Sequence, residues 1–321
     1  LRALITGIGG FAGSHLAEHL LASGDEVLGC NRHGKWPDDP PRQLQNTAGV
    51  FAWDITGPAS AAANWLCSDF APQWVFHLAA MSLPSECGES EPTRAAWRVN
   101  VEGTEHVIDL VTRLASRPRL LLASTSRVYS SAGEEGRPVA ETAPIAPQNG
   151  YAKSKRAAEE RLLQAVQADV VDGVVIRAFN HTGPRQSPKL MLPQWCEQLA
   201  RTPSETPLEI YTRDAFLDLL DVRDVVRAYR QLAEHASRGE IYNVGSGTAI
   251  RSGDVAEQLL QVAGESREIR ETQPGRRVNA IADITKLTEL TCWSPTVPRE
   301  ATLRDTLDYW RGRYASRNSG P

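Results

Sequence analysis

Cysteine is scarce in this sequence. There are five, Cys30, Cys67, Cys87, Cys196 and Cys292. None forms a C-x-x-C pair and the number is odd, which argues against a disulfide framework and for reduced thiols in a cytoplasmic protein. An isolated cysteine is more often structural than catalytic. No metal centre is expected from the seven histidines, which are read as having no H-x-x-x-H or H-x-H pairing. Long apolar runs are also missing: none approaches the roughly 18 residues needed to span a bilayer. The apolar start at Leu1 reads as a strand running into a glycine turn, unlike a signal peptide. Because Leu1 is not Met, a few residues are expected to precede it. An excess of one charge sign is absent too. The net charge of −4 gives no general attraction to nucleic acid or to an anionic membrane. No repeat or low-complexity segment stands out.

What is present is ordinary globular material. Hydrophobic residues make up 41% and charged residues 23%. The 321 residues correspond to about two domains of ~150 residues, or one domain with a long appendage. In the first half, short apolar runs alternate with helical patterns. Strands are expected at Leu1–Thr6, Glu26–Cys30, Val50–Trp53, Trp74–Leu78, Arg119–Ser124 and Gly173–Arg177. Helices are expected at Phe11–Ala22, Thr93–Ala115 and Gln148–Ala168. Strands separated by helices imply an α/β fold with a Rossmann-type, doubly wound parallel sheet. After Asn180 the rhythm breaks at Gly183-Pro184, Pro188, Pro193, Pro203 and Pro207. Helices follow near Val222–Ala236, Asp254–Ala263 and Glu300–Tyr314, and the tail Ala315–Pro321 reads as frayed. The expected division is residues 1–180 as the dinucleotide-binding domain and 181–321 as a smaller mixed α/β substrate lobe, with some interleaving of the chain.

Between the first strand and the first helix lies Thr6-Gly7-Ile8-Gly9-Gly10-Phe11-Ala12-Gly13. Gly7, Gly10 and Gly13 let the backbone turn tightly and approach a pyrophosphate, while the helix behind them directs its unpaired N–H groups at that anion. A lone glycine pattern is weak, and its place opening a βα unit strengthens it. The plainer alternative is a tight turn without a ligand. The second strand ends at Cys30-Asn31-Arg32, where an acidic residue would favour NAD. Arg32 instead suits a 2′-phosphate, so the expectation leans to NADP with NAD possible. A solvated loop arginine is the alternative. Asp54 could accept a bond from adenine or cap the turn at Thr56-Gly57.

Tyr151 and Lys155 stand four residues apart and share one face of a helix. A nearby ammonium stabilises a phenolate, so Lys155 is expected to lower the Tyr151 pKa and fit it for proton exchange with a sugar oxygen. Such a pair is common by chance. Here it is joined by Ser124-Thr125-Ser126, which ends an apolar strand, the place where ligands bind in open α/β sheets. A Ser/Thr cap on the next turn would be the structural alternative.

Taken in order, Gly7–Gly13, Asp54, His77-Leu78-Ala79-Ala80, Asn100-Val101-Glu102-Gly103-Thr104, Ser124-Thr125-Ser126 and Tyr151/Lys155 resemble the extended short-chain dehydrogenase/reductase family acting on nucleotide sugars. The resemblance covers nearly the whole chain. The segment Arg177–Pro184, with Gln186-Ser187-Pro188, looks most like the GDP-4-keto-6-deoxymannose reductases of that family. The resemblance implies Thr125, Tyr151 and Lys155 as catalytic residues. It implies Gly7, Gly10, Phe11, Gly13, Asn31, Arg32, Asp54, Ile55, Leu78, Ala79, Ala80 and Asn100, again with Tyr151 and Lys155, around the dinucleotide. Ser82, Ser126, Arg127, Asn180, His181 and Arg185 are implied around the sugar nucleotide. It also implies a homodimer through a four-helix bundle made by the long helices at Thr93–Ala115 and Gln148–Ala168.

Three positions depart from the family pattern. Related dehydratases carry Glu two residues after the catalytic Thr, where this chain has Arg127, which stays protonated and cannot act as that base. Leu217 and Gln273 stand where relatives carry phosphate-binding arginines. Arg185, Lys189, Arg213, Arg276 and Arg277 lie nearby in sequence as substitutes or as solvated charges. The expected activity is NAD(P)H-dependent reduction of the C4 keto group of GDP-4-keto-6-deoxymannose to GDP-rhamnose. A nucleotide-sugar 4-epimerase with tightly held NAD, and a non-catalytic cofactor-binding protein, are the alternatives.

Overall fold

In a computed structural model, residues 1–37, 44, 48–130 and 137–318 are described. The main sheet has seven parallel strands: β1 (Arg2–Thr6), β2 (Glu26–Asn31), β3 (Gly49–Ala52), β4 (Trp74–His77), β5 (Arg119–Thr125), β6 (Asp172–Ala178) and β7 (Ile241–Val244). Their order is β7-β6-β5-β4-β1-β2-β3. The order reverses between β1 and β4, so a crevice opens beyond their carboxyl ends, the general binding place in such sheets.

The sheet is buried on both faces because its central strands are apolar on both. Along a strand alternate residues face opposite sides. Leu4, Val75, Leu120, Leu122 and Val175 share one core with α2 (Ala61–Phe70), α3 (Gly103–Arg113) and α4 (Gly150–Gln167). Ile5, Phe76, Leu121, Val174 and Ile176 pack on the other side against α1 (Phe11–Ala22) and α6 (Val222–His235). Each such Leu or Ile, fully buried, contributes about 1.5–3 kcal/mol relative to exposure.

The expected long helix Thr93–Ala115 is present but not uniform. A short turn Arg94–Trp97 leads into a π-helical turn Arg98–Glu102, and α3 follows. Helix α2, capped by Ser60 accepting from the Ala63 N–H at 3.2 Å, was not expected from the sequence pattern. Its stretch carries no strong apolar periodicity.

A second core holds the smaller lobe. Leu192, Trp195 and Leu199 of α5 (Met191–Arg201) meet Val255 and Leu259 of α7 (Ser252–Ala263) and Leu303 and Leu307 of α8 (Arg299–Asn318). Helix α8 runs past Tyr314 to Asn318, so the expected frayed tail is helical there; residues 319–321 lie outside the described residues. The chain leaves the main sheet after β6 and returns to it at β7, which pairs with β6 from Ile241↔Val175 to Val244↔Ala178. Among the described residues no helix is long and apolar enough to cross a membrane.

Candidate active site

The turn between β1 and α1 is shaped by contact distances that only glycine tolerates. Gly7 has φ +73°, and a Cβ there would lie 2.8 Å from the backbone of Ala79 after β4. A Cβ on Gly13 would lie 2.3 Å from the Gly7 carbonyl oxygen. Gly10 is the N-cap of α1, with no side-chain cap and no acidic residue in the first turn. The helix therefore presents its positive end unneutralised, and the turn fits an anion such as a pyrophosphate.

Beside this turn, Gly9, Gly10, Asn31, Arg32, Lys35 and Trp36 line a cavity of about 350 Å³, together with His33 and Pro37. Asn31 is committed to its own loop: Oδ1 accepts from the N–H groups of His33 and Gly34, both at 2.9 Å, and Nδ2 donates to the Lys35 carbonyl at 2.7 Å. Three basic side chains, Arg32, His33 and Lys35, thus share the cavity. Sequence reading singled out Arg32; the run of basic residues around it was the available signal for the other two. Asp54 accepts from the Thr56 N–H at 3.0 Å, which holds its carboxyl below the usual carboxylate range. This bond is the turn cap at Thr56. Ile55 is buried; its carbonyl accepts from His106 Nδ1 at 2.8 Å.

Leu78, Ala79 and Ala80 follow β4 and are fixed from below. The Ala79 N–H donates to Thr6 Oγ1 at 3.3 Å, and Thr6 Oγ1 lies 2.7 Å from His77 Nδ1. His77 Nε2 lies 3.0 Å from Thr104 Oγ1, which itself donates to the Asn100 carbonyl. Thr104 must then accept from Nε2–H, which leaves Nδ1 as an acceptor and the ring neutral. Burial, with the charge of Lys155, pushes the His77 pKa down to about 3. Asn100 stands in the π-helical turn, a form often found at functional positions. Its Nδ2 donates to the Met81 carbonyl (3.1 Å) and to Ser154 Oγ (2.9 Å), and its Oδ1 accepts from the Met81 N–H (2.8 Å). The structure therefore places Asn100 as a clamp between the loop after β4 and helix α4.

Helix α4 starts at a fixed point because Asn149 caps it, accepting from the Ala152 N–H at 2.9 Å. That start puts Tyr151 in the first turn and Lys155 one turn on. Thr125 ends β5, and its hydroxyl stands close enough to the Tyr151 phenol to favour the phenolate. Burial raises the Tyr151 pKa; the Thr125 hydroxyl and the charge of Arg127 work the other way, and the Cys87 thiol adds to the rise. The expected lowering by Lys155 does not appear. Burial instead pulls the Lys155 ammonium down to about 8, opposed by Glu159 and Cys87. The first of these opposing groups is a carboxylate that the sequence reading did not single out. Glu159 is fully buried, accepts from Ser124 Oγ at 2.5 Å, and takes Arg177 at 3.0 and 2.8 Å. A charged residue inside the apolar strand Val174-Val175-Ile176-Arg177, with Glu four residues after Lys155, was the legible signal.

Thr125 and Tyr151 open on a cavity of about 690 Å³ between the main sheet and the lobe. Ser82, Ser126, Arg127, Asn180, His181 and Arg185 all line it. No Asp or Glu does, among the described residues. His181 donates from Nδ1 to the Phe179 carbonyl at 2.8 Å and stacks on Phe11, with ring centroids 5.8 Å apart. Phe11, assigned to the cofactor side by resemblance, thus also forms part of this wall. Arg185 lines the cavity while its guanidinium is held by both oxygens of Glu18. Lys189, also in the wall, pairs with Glu86 at 2.7 Å. Arg213 pairs with Glu257, while Arg276 and Arg277 lie over the rings of Phe216 and Tyr211; none of the three lines the cavity. Leu217 contributes apolar wall, and Gln273 is exposed.

His15 and His19 on α1 have the H-x-x-x-H spacing of metal ligands, which corrects the reading of the histidines as free of such a pair. His15 Nε2 donates to the Pro184 carbonyl at 3.0 Å, and among the described residues no group of three or more His, Cys, Asp or Glu is placed to hold a metal ion.

Residues 3–245 match the family described as "NAD dependent epimerase/dehydratase family". The GDP-6-deoxy-D-mannose reductase of Pseudomonas aeruginosa is 29% identical over 97% of this chain and 98% of its own length. The UDP-glucose 4-epimerase of Mycolicibacterium smegmatis is 26% identical over 98% of this chain and 99% of its own. Among solved structures, RMD from Pseudomonas aeruginosa complexed with NADPH superposes with a TM-score of 0.81 at 26% identity, covering 97% of this chain and 99% of that one.

Proposed function

The chain belongs to the NAD dependent epimerase/dehydratase family, and from that premise we propose that it reduces the C4 keto group of a nucleotide-activated 4-keto-6-deoxyhexose, GDP-4-keto-6-deoxymannose, to give GDP-rhamnose. The observation that carries this reading is the meeting of Thr125 and Tyr151 on a cavity whose described lining holds no carboxylate. Proton delivery to a carbonyl oxygen needs only the hydroxyl pair. Water elimination needs a base as well, and Arg127 stands where one would be looked for.

The turn Gly7–Gly13 and the start of α1 would hold the pyrophosphate. Arg32 and Lys35 would take the 2′-phosphate of NADP, with NAD as the weaker cofactor, and Lys155 the nicotinamide ribose. Reduced nicotinamide, when bound, supplies the hydride to C4. Tyr151 gives its phenolic proton to the oxygen on C4, leaving a phenolate that solvent reprotonates. Thr125 orients both oxygens, and holding them beside the cofactor supplies much of the rate. The same reading makes the protein a homodimer through α4 and through α3 with the turns before it, where Trp97 of the short turn Arg94–Trp97 is 39% exposed.

The test is the ultraviolet absorbance of NADPH or NADH during incubation with GDP-4-keto-6-deoxymannose. Continuous loss with turnover is expected, faster with NADPH. A stoichiometric burst without further turnover would sink the reductase reading. A 4-epimerase is favoured by the comparable likeness to the Mycolicibacterium epimerase; cofactor that survives purification would support that second reading.

A further inference from the structure

Three cations line the larger cavity, Arg127, Arg185 and Lys189, and no carboxylate does, among the described residues. Two of the three are already compensated, Arg185 by Glu18 and Lys189 by Glu86. The Arg127 guanidinium is exposed and has no carboxylate partner among the described residues. Among the described residues it is therefore the wall's one positive charge without a carboxylate partner.

Its place in the chain sets the residue beside Thr125. Arg127 lies in the single turn Ser126–Val128 that follows β5 directly. Its backbone N–H donates to Thr125 Oγ1 at 3.3 Å, and Thr125, Arg127 and Tyr151 line the same cavity. The backbone of Arg127 is thus tied to the reacting end of the cavity, and the residue shares that wall with Tyr151.

We propose that Arg127 is a charge-stabilising residue acting through Tyr151: its fixed positive charge favours the phenolate left when the phenolic proton passes to the substrate oxygen. The proposal rests on Tyr151 being the proton donor. In that step C4 gains a hydride from reduced nicotinamide, its oxygen gains the phenolic proton, and the negative charge comes to rest on Tyr151 Oη. Burial opposes an ion there. The titratable or charged groups acting on Tyr151 are Cys87 from the short helix Pro84–Cys87, Arg127 from the turn after β5 and Tyr229 from α6, and Lys155 lies one turn further along the helix of Tyr151. Cys87 and Tyr229 do not help an anion. Burial brings the Lys155 pKa to about 8, so its charge fades as pH rises through that value. Arginine keeps its charge throughout.

Two readouts test this. The ultraviolet phenolate band, titrated with NADP bound and corrected by Tyr151→Phe, isolates Tyr151 and needs no turnover. In Arg127→Gln its midpoint should rise by about half a pH unit or more. In the reduction assay Arg127→Gln should lose about tenfold or more in kcat, with KM little changed and the alkaline limb moved to higher pH. Arg127→Lys should restore most of both, and Arg127→Glu should be worse than Gln. An unmoved Tyr151 titration in Arg127→Gln overturns the proposal, whether or not the rate falls. Absence of turnover in the unmodified protein overturns the reductase reading alone and leaves the titration to decide.

Discussion

Burial drives the Tyr151 phenol away from the ionised form it must visit while delivering its proton. The residue is nevertheless equipped for the task, since Thr125 and Arg127 both favour its ionised form. Removing only the hydroxyl should leave the packing intact. Tyr151→Phe is expected to lose roughly 10²–10⁴-fold in kcat, the usual range for a positioned acid, while its unfolding midpoint and cofactor affinity stay near those of the parent. Unchanged turnover would remove Tyr151 from the chemistry. The Tyr151/Lys155 pair was legible because residues four apart on a helix share a face. The direction of the Tyr151 pKa was not, because it depends on how deeply the fold covers the ring.

At the scale of elements, α1 is held against the glycine turn by close backbone contact. A Cβ on Gly13 would stand 2.3 Å from the Gly7 carbonyl oxygen and 2.9 Å from Ile8 Cα, both backbone atoms that cannot swing aside. Gly13→Ala must therefore move α1 off the turn. We expect a loss of about 1–3 kcal/mol in unfolding free energy and a cofactor Kd at least about tenfold weaker, read by NADPH fluorescence. Ordinary affinity in Gly13→Ala would show that the close approach is not used for binding. The glycine turn could be read from sequence because its spacing sits between a strand and a helix. The π-helical turn around Asn100 could not, because it arises where the helix must meet Met81 and Ser154 at once.

The whole molecule stores neutral histidines in its interior. His15 joins α1 to Pro184, and burial with the charge of Arg185 lowers its pKa to about 4; His77 falls to about 3. Both lie below the ordinary value of 6.5. The unfolded chain therefore binds more protons than the folded one in the window from 6.5 down to those values, and stability falls as pH falls through it. Each histidine should cost on the order of 2 kcal/mol between about pH 7 and pH 5. His15→Gln keeps a donor for Pro184 without a titrating ring, so its urea midpoint should change less over that interval. An identical pH slope in parent and variant would remove His15 from the account.

The sequence by itself determined the parallel α/β sheet, the glycine turn and the pairing of Tyr151 with Lys155. These are local facts: apolar periodicity, a three-glycine spacing and a helical repeat act over a few residues. It also carried the family, because the ordered motifs from Gly7 to Lys155 run through the chain. Only the tertiary structure decided which charges remain free. Arg185 faces Glu18 across 167 residues and Arg177 meets Glu159 across 18, whereas Arg127 is left over in the cavity wall. Coulomb energies and burial depend on distance through space, and separation along the chain does not set that distance.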